Sequence, residues 1–247
     1  PATAMNLGRL LTHTARRLPG APELARGGRS WSFAELDQRV DRLAAALRGL
    51  GVAKGDRVLV HARNSHRMFE TMWACFKAGA VWVPTNVRLT PSEVAYLGAS
   101  SRAVVMIRDA GSGAHAAAVR AASPALRHVI AMEGPEKGEL AYETLLVANA
   151  PTLPDGEADM AYDDPCWFFH TSGTTGRPKA AMLTHGQMAF VVTSHLADLM
   201  PGLTERDASL VVAPLSHGAG IHALAQVARG AVSVLTEAER LDPAEVW

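Results

Sequence analysis

Short apolar segments that alternate with helical ones constrain the fold of this chain more than any other feature. Several segments rich in valine have the length of buried strands: 57–62, 80–83, 103–107, 128–132, 166–170, 209–213 and 231–235. Strands that are apolar at successive positions are typical of parallel sheets covered on both faces. The alternation therefore predicts an α/β fold of doubly wound, largely parallel sheets with helices on both faces.

Capping residues mark where the intervening helices begin. The expected pairs are Ser32 with Glu35, Thr90 with Pro91, and Thr184 with Gln187. The first and third pairs have capping-box spacing, and proline suits the first turn of a helix. A further helix is expected to start at Asn64 and to end before Gly79.

The division of the chain is predicted from its least regular stretch, residues 133–165, which is rich in Gly-Pro and Pro-Asp-Gly turns. We expect a first α/β subdomain over 1–150 and a second, incomplete segment over 151–247. Asp242 and Pro243 look like a helix start, yet the chain stops about one turn later. This favours a fragment of a longer protein.

Composition excludes several classes of protein. Lys plus Arg (24) equals Asp plus Glu (24), which argues against a nucleic-acid partner. No apolar run is long enough for a transmembrane segment, and the first residues do not have the pattern of a secretory signal. Cys75 and Cys166 lie in apolar surroundings and are expected to be buried, reduced thiols, so a cytoplasmic location is predicted.

The segment Thr171-Ser172-Gly173-Thr174-Thr175-Gly176-Arg177-Pro178-Lys179 has the chemistry of a phosphate-binding loop. Glycines let backbone N–H groups approach an anion, and the hydroxyls supply further donors. Lys179 adds a compact positive charge in a chain where only 4 of the 24 basic residues are lysines. The glycine spacing is neither that of a Walker A loop nor Gly-x-Gly-x-x-Gly. A solvated, glycine-rich surface loop is the alternative without function.

At these residues the chain resembles the adenylate-forming superfamily: acyl-CoA synthetases, adenylation domains of peptide synthetases, and luciferases. The segment 171–179 is similar to the phosphate loop of that family, although Ala180 stands where glycine is usual. Further similarity lies in Trp31-Ser32-Phe33, Asn64-Ser65, Lys77-Ala78-Gly79-Ala80, Asn86-Val87-Arg88-Leu89-Thr90-Pro91 and Pro214-Leu215-Ser216-His217-Gly218. The resemblance implies the N-terminal domain of an AMP-forming acyl-CoA synthetase, without its C-terminal domain.

The implied activity is ATP-dependent ligation of a carboxylic acid, fatty or aryl, to coenzyme A through an acyl-adenylate. ATP, Mg²⁺ and coenzyme A are the implied cofactors, and the fragment alone is expected to be inactive. A peptide-synthetase adenylation domain, a P-loop-like NTPase and a non-catalytic nucleotide-binding module are the alternatives. Which acid is activated cannot be predicted from these residues.

The resemblance also assigns site residues. Phosphate contacts are expected from Thr171, Ser172, Gly173, Thr174, Thr175, Gly176 and Lys179. Lys179 and His217 are the expected catalytic residues, with His217 close to the substrate carboxylate. Thr184 is expected to cap a helix, and no residue is assigned as a metal ligand. Whether the protein is a homodimer is left open.

Overall fold

The computed structural model describes residues 5–171 and 178–237. The helices are α1 (Arg9–Arg17), α2 (Phe33–Gly49), α3 (His66–Ala78), α4 (Pro91–Ser101), α5 (Gly113–Ala122), α6 (Tyr142–Val147), α7 (His185–Ser194) and α8 (Gly218–Arg229). A π-helical segment, His195–Leu199, follows α7. The strands are β1 (Pro22–Arg26), β2 (Arg29–Ser32), β3 (Arg57–His61), β4 (Val81–Pro84), β5 (Val105–Arg108), β6 (His128–Ala131), β7 (Leu140–Ala141), β8 (Pro165–Thr171), β9 (Lys179–Thr184), β10 (Ala208–Val211) and β11 (Val232–Leu235).

Within the described ranges the strands form two sheets. The larger sheet has the order β7-β6-β5-β3-β4-β8-β9, and all its pairs are parallel except the antiparallel pair of β8 with β9. The smaller sheet has the order β10-β11-β1-β2, in which β2 is antiparallel to β1. The α/β fold of largely parallel sheets is therefore confirmed.

Helices cover both faces of the central strands of the larger sheet, which explains why these strands are apolar at successive positions. In β3, Val58 and Val60 belong to one hydrophobic cluster and Leu59 to another. The first cluster also contains residues of α2, α3 and α8, and it includes Leu24 and Leu235 of the smaller sheet. The second cluster contains residues of α4 and α5.

The predicted helix caps are observed at three of the four expected positions. Capping boxes join Ser32 to Glu35 and Thr184 to Gln187, and Thr90 caps α4 with a further box to Glu93. The expected helix start at Asn64 is wrong, because the N-cap is the next residue, Ser65. Helix α3 begins at His66, and the Ser65 hydroxyl accepts the Met68 N–H at 3.1 Å. The Asn64 side chain bonds elsewhere, as described below.

Several elements were not predicted, among them α1, α6, α8, β1, β7 and β9. Strand β9 is the element that matters for function, because it follows the glycine-rich segment directly. Its first four residues are exposed on both faces of the strand, so no apolar periodicity marks it. Pairing with β8 defines this strand, and it extends from Thr171 opposite Lys179 to Pro165 opposite Thr184.

The predicted boundary near residue 150 stays a prediction. Both sheets contain strands from either side of it, since β1 pairs with β11 and β4 pairs with β8. The irregular stretch before β8 is fixed to the preceding helices by basic side chains. Arg48 donates to the carbonyls of Pro154 (3.2 Å) and Gly156 (3.0 Å).

The buried polar residues include one carboxyl group without a partner. Glu23 in β1 is fully buried, and neither of its carboxyl oxygens has a hydrogen-bond partner among the described residues. Burial raises the pKa of Glu23 well above its usual 4.5. The carboxylates of Asp37 and Glu70 raise that pKa further, and the ammonium of Lys77 opposes them.

Both cysteines, Cys75 and Cys166, are buried and free, as expected. Burial raises the pKa of each thiol, which keeps both unreactive. None of the helices in the described part of the chain combines the length and apolar character needed to cross a bilayer.

Candidate active site at the carboxyl ends of the strands

The described ends of the glycine-rich segment, Thr171 and Lys179, lie at the carboxyl edge of the larger sheet. Thr171 is the last residue of β8, which is parallel to β4 with Trp82 opposite Trp167. Ligands of parallel α/β sheets bind outside the carboxyl ends of the strands. The two indole rings meet edge to face with their centroids 4.7 Å apart, which packs β8 closely against β4.

Strand pairing fixes the two ends of this segment. Thr171 ends β8, Lys179 begins β9, and the two residues are directly opposite each other. Both are exposed, whereas Pro178 is half-buried. The antiparallel pair therefore presents a hydroxyl and an ammonium group at the ends of one connection. The predicted contacts Ser172, Gly173, Thr174, Thr175 and Gly176 lie outside the described residues.

The second part of the site is the turn between β10 and α8, residues 212–217. His217 is half-buried and directly precedes the first residue of α8. Its imidazole meets the Phe169 ring edge to face, with centroids 5.4 Å apart. Phe169 and Thr171 lie on the same face of β8, separated by roughly 6.6 Å along the strand. The structure thus brings His217 and Thr171, predicted from distant parts of the sequence, into one neighbourhood.

The amide of Asn64 joins this turn to the larger sheet. Asn64 Nδ2 donates to the Ala213 carbonyl at 2.9 Å, and Asn64 Oδ1 accepts the Leu215 N–H at 2.9 Å. Asn64 lies between the end of β3 and the cap of α3. Both hydrogen bonds were missed from the sequence. The available signal was a polar residue just beyond the carboxyl end of a parallel strand.

Glycines at the start of α8 have different surroundings. A β-carbon at position 220 would lie 2.2 Å from the Leu215 carbonyl oxygen and 2.8 Å from Trp167 Cη2. Position 218 faces open space, with no atom within 4 Å of such a carbon. Gly220 therefore permits close packing of the turn on α8. Gly218, the first residue of α8, is exposed.

His170 is a further imidazole near the site that the sequence did not single out. Burial lowers the pKa of His170, and a hydrogen bond to the Pro84 carbonyl opposes this effect. The nearby imidazole of His217 lowers the pKa of His170 further. Its Nδ1 is buried and has no partner among the described residues. We expect a neutral His170 near pH 7.

The described ranges contain no group of three or more His, Cys, Asp or Glu side chains arranged to hold a metal ion. His195 and His222 do meet, with ring centroids 4.9 Å apart, but as a pair. The expected Mg²⁺ thus finds no ligand set in the described residues. We assign it no residue of this chain and no step of the reaction.

Comparison with known sequences identifies one family for this chain. The profile of the family named AMP-binding enzyme matches residues 11–247. Feruloyl-CoA synthase of Amycolatopsis sp is 37% identical over 252 residues, which covers 97% of this chain and 45% of that protein. The long-chain-fatty-acid–CoA ligase of Thermus thermophilus is 35% identical over 221 residues, covering 87% of this chain and 39% of that protein. The chain spans less than half the length of these curated relatives.

Solved structures have the same fold. An anthranilate CoA ligase in complex with anthranoyl-AMP superposes with a TM-score of 0.87 at 26% identity, covering 93% of this chain and 44% of that one. A fatty acyl CoA synthetase of Mycobacterium tuberculosis superposes with a TM-score of 0.85 at 25% identity, covering 100% of this chain and 47% of that one.

Proposed function

Because this chain belongs to the AMP-binding enzyme family, we propose that it serves an ATP-dependent, AMP-forming ligase that joins a carboxylic acid to coenzyme A. The observation that carries the proposal is the pairing of Thr171 with Lys179 at the carboxyl edge of the larger sheet, beside His217. This arrangement offers hydroxyl, ammonium and imidazole groups near the carboxyl end of β8. Relatives that act on feruloyl, anthranilate and long-chain acids support an aryl or fatty acid as substrate.

The proposed reaction has two steps. A carboxylate oxygen attacks the α-phosphorus of ATP, the bond to the β-phosphate oxygen breaks, and pyrophosphate leaves. The thiolate of coenzyme A then attacks the acyl carbon of the adenylate, and AMP leaves with the electron pair of the broken C–O bond. No oxidant or reductant is required. Both steps transfer a group to an oxygen or sulfur nucleophile.

The protein's contribution is positioning and electrostatic stabilisation. We propose that the segment from Thr171 to Lys179 binds the β- and γ-phosphates, with the Lys179 ammonium stabilising charge on the leaving pyrophosphate. Lys179 is exposed, so it can follow the phosphate as charge develops. His217 is proposed to contact the substrate carboxylate. Loss of one well-placed donor in such a site costs about 2.7–4 kcal/mol of barrier.

The test is acid-dependent exchange of labelled pyrophosphate into ATP by the full-length protein. The panel of acids contains aryl acids, fatty acids and amino acids, because an adenylation domain of a peptide synthetase would prefer the last group. We expect exchange with an aryl or fatty acid. Exchange with no acid, or ADP as the nucleotide product, would contradict the proposal. The expected cytoplasmic location stays a prediction, and whether the protein is a homodimer stays open.

A further inference from the structure

Asn64 connects two sheets through a single side chain. It follows β3 of the larger sheet, and its amide bonds to the turn that follows β10 of the smaller sheet. A primary amide offers a donor and an acceptor on two separate atoms, whereas an ionised carboxylate of the same size only accepts. Both functions are used here, on the Ala213 carbonyl and the Leu215 N–H.

The turn that Asn64 holds continues directly into the residue proposed to meet the substrate. The His217 N–H donates to the Pro214 carbonyl at 3.0 Å, and the Gly220 N–H donates to the His217 carbonyl at 3.0 Å. The position of the 213–215 backbone is therefore passed on to His217 and to the first turn of α8. Pro214 itself has no N–H with which to anchor the turn.

We propose that Asn64 is a positioning residue that fixes His217 relative to β8 and thereby sets the rate of the adenylation step. The inference rests on the proposed function, since it assigns a role within that reaction. Without the amide, the turn loses both hydrogen bonds to the larger sheet, and the edge-to-face contact with Phe169 does not by itself fix the distance of His217 from β8. Misplacement of a reacting group by about 1 Å can cost about 100-fold in rate.

The kinetic test uses Asn64→Ala in the full-length protein, with Asn6→Ala as the matched control. Asn6 also makes amide bonds to backbone, donating to the carbonyls of Phe76 (2.7 Å) and Ala158 (3.0 Å) and accepting the Gly8 N–H (2.8 Å). We expect Asn64→Ala to lower the exchange kcat about 10- to 100-fold with KM for ATP within about threefold. Asn6→Ala should leave kcat within about threefold, although it weakens the fold.

A double-mutant cycle separates positioning from a general structural role. If Asn64 acts through His217, Asn64→Ala should lower kcat by less than about threefold in the His217→Ala background. Asn64→Asp keeps an acceptor for the Leu215 N–H but replaces the donor to the Ala213 carbonyl by a second acceptor oxygen. This variant should therefore not restore the rate. Full additivity of the Asn64 and His217 effects would overturn the inference.

A measurement without turnover tests the same contact. Amide hydrogen exchange of Leu215 in the full-length protein should become at least about tenfold faster in Asn64→Ala than in Asn6→Ala, because Asn64 Oδ1 accepts that N–H. Unchanged protection of Leu215 would overturn the inference. Absence of pyrophosphate exchange in the unmutated full-length protein would instead overturn the proposed function. Faster hydrogen exchange of Leu215 in Asn64→Ala would then still support the hydrogen bonds of Asn64 to the turn.

Discussion

Gly220→Ala is the substitution whose consequence follows most directly from the geometry. The added methyl carbon would lie 2.2 Å from the Leu215 carbonyl oxygen, while ordinary carbon–oxygen contacts are about 3.3 Å. The turn must therefore move by about 1.1 Å, which is the difference between those distances. Trp167 Cη2, 2.8 Å away, blocks a compensating shift in that direction because this indole is fully buried.

Two effects are expected from this displacement. Overpacking typically costs about 1–3 kcal/mol of unfolding free energy. A shift of about 1 Å in the turn before His217 should lower the adenylation rate about 100-fold. The two effects are measured separately, by urea denaturation of the 247-residue chain and by pyrophosphate exchange in the full-length protein.

Gly49→Ala is the control for this experiment. Gly49 is the last residue of α2, and a β-carbon there would meet no atom within 4 Å. Alanine should be neutral there or stabilise the helix by up to about 1 kcal/mol. If Gly220→Ala were as stable and as active as Gly49→Ala, the close packing of α8 against the turn would have no consequence, and the reasoning would be refuted.

Three further predictions concern charge, burial and capping. Lys179→Ala should slow pyrophosphate exchange about 100-fold or more. Lys137 is an exposed lysine elsewhere, and Lys137→Ala should not slow the exchange. Equal exchange rates of the two variants would show that Lys179 does not belong to the site. Glu23→Gln should stabilise the protein increasingly as pH rises from about 4.5, because the unfolded carboxyl then ionises while burial keeps the folded one protonated. The gain in unfolding free energy is at most about 1.4 kcal/mol per pH unit. Urea denaturation of both proteins at pH 5, 6 and 7 measures this gain. A stability difference that does not change with pH would contradict the prediction. Thr184→Ala should cost about 0.5–2 kcal/mol in the same assay at pH 7, because it removes the acceptor for the Gln187 N–H, and an unchanged midpoint would contradict the cap.

Much of the fold could be predicted because its strongest signals are local. Strand β3 and its parallel neighbours are short apolar runs, and helices α2, α4 and α7 carry their caps in the sequence. Strand β9 could not be predicted because alanine and methionine on an exposed edge give no periodic pattern. Its position is determined by pairing with β8, which is a property of the hairpin.

The residues of the candidate site were named from the sequence and their roles stay predictions, whereas their relative positions could not be derived from it. Thr171 and Lys179 were expected to act together, and their strand register explains how they meet. The expectation for His217 came from the resemblance to a family, since a single histidine has no local signature of its role. Asn64 was expected to start a helix. Its two hydrogen-bond partners could not be predicted, because they lie 149 and 151 residues away in the chain. No local pattern encodes such contacts.

The central claim, that a carboxylate attacks the α-phosphorus of ATP, is tested most directly by isotope transfer. The full-length protein is supplied with ATP, coenzyme A and an active acid in which both carboxylate oxygens are ¹⁸O. Our account predicts one labelled oxygen in the phosphate of each AMP formed, because the bridging oxygen of the adenylate comes from the acid. Label in inorganic phosphate together with ADP, or unlabelled AMP, would contradict it.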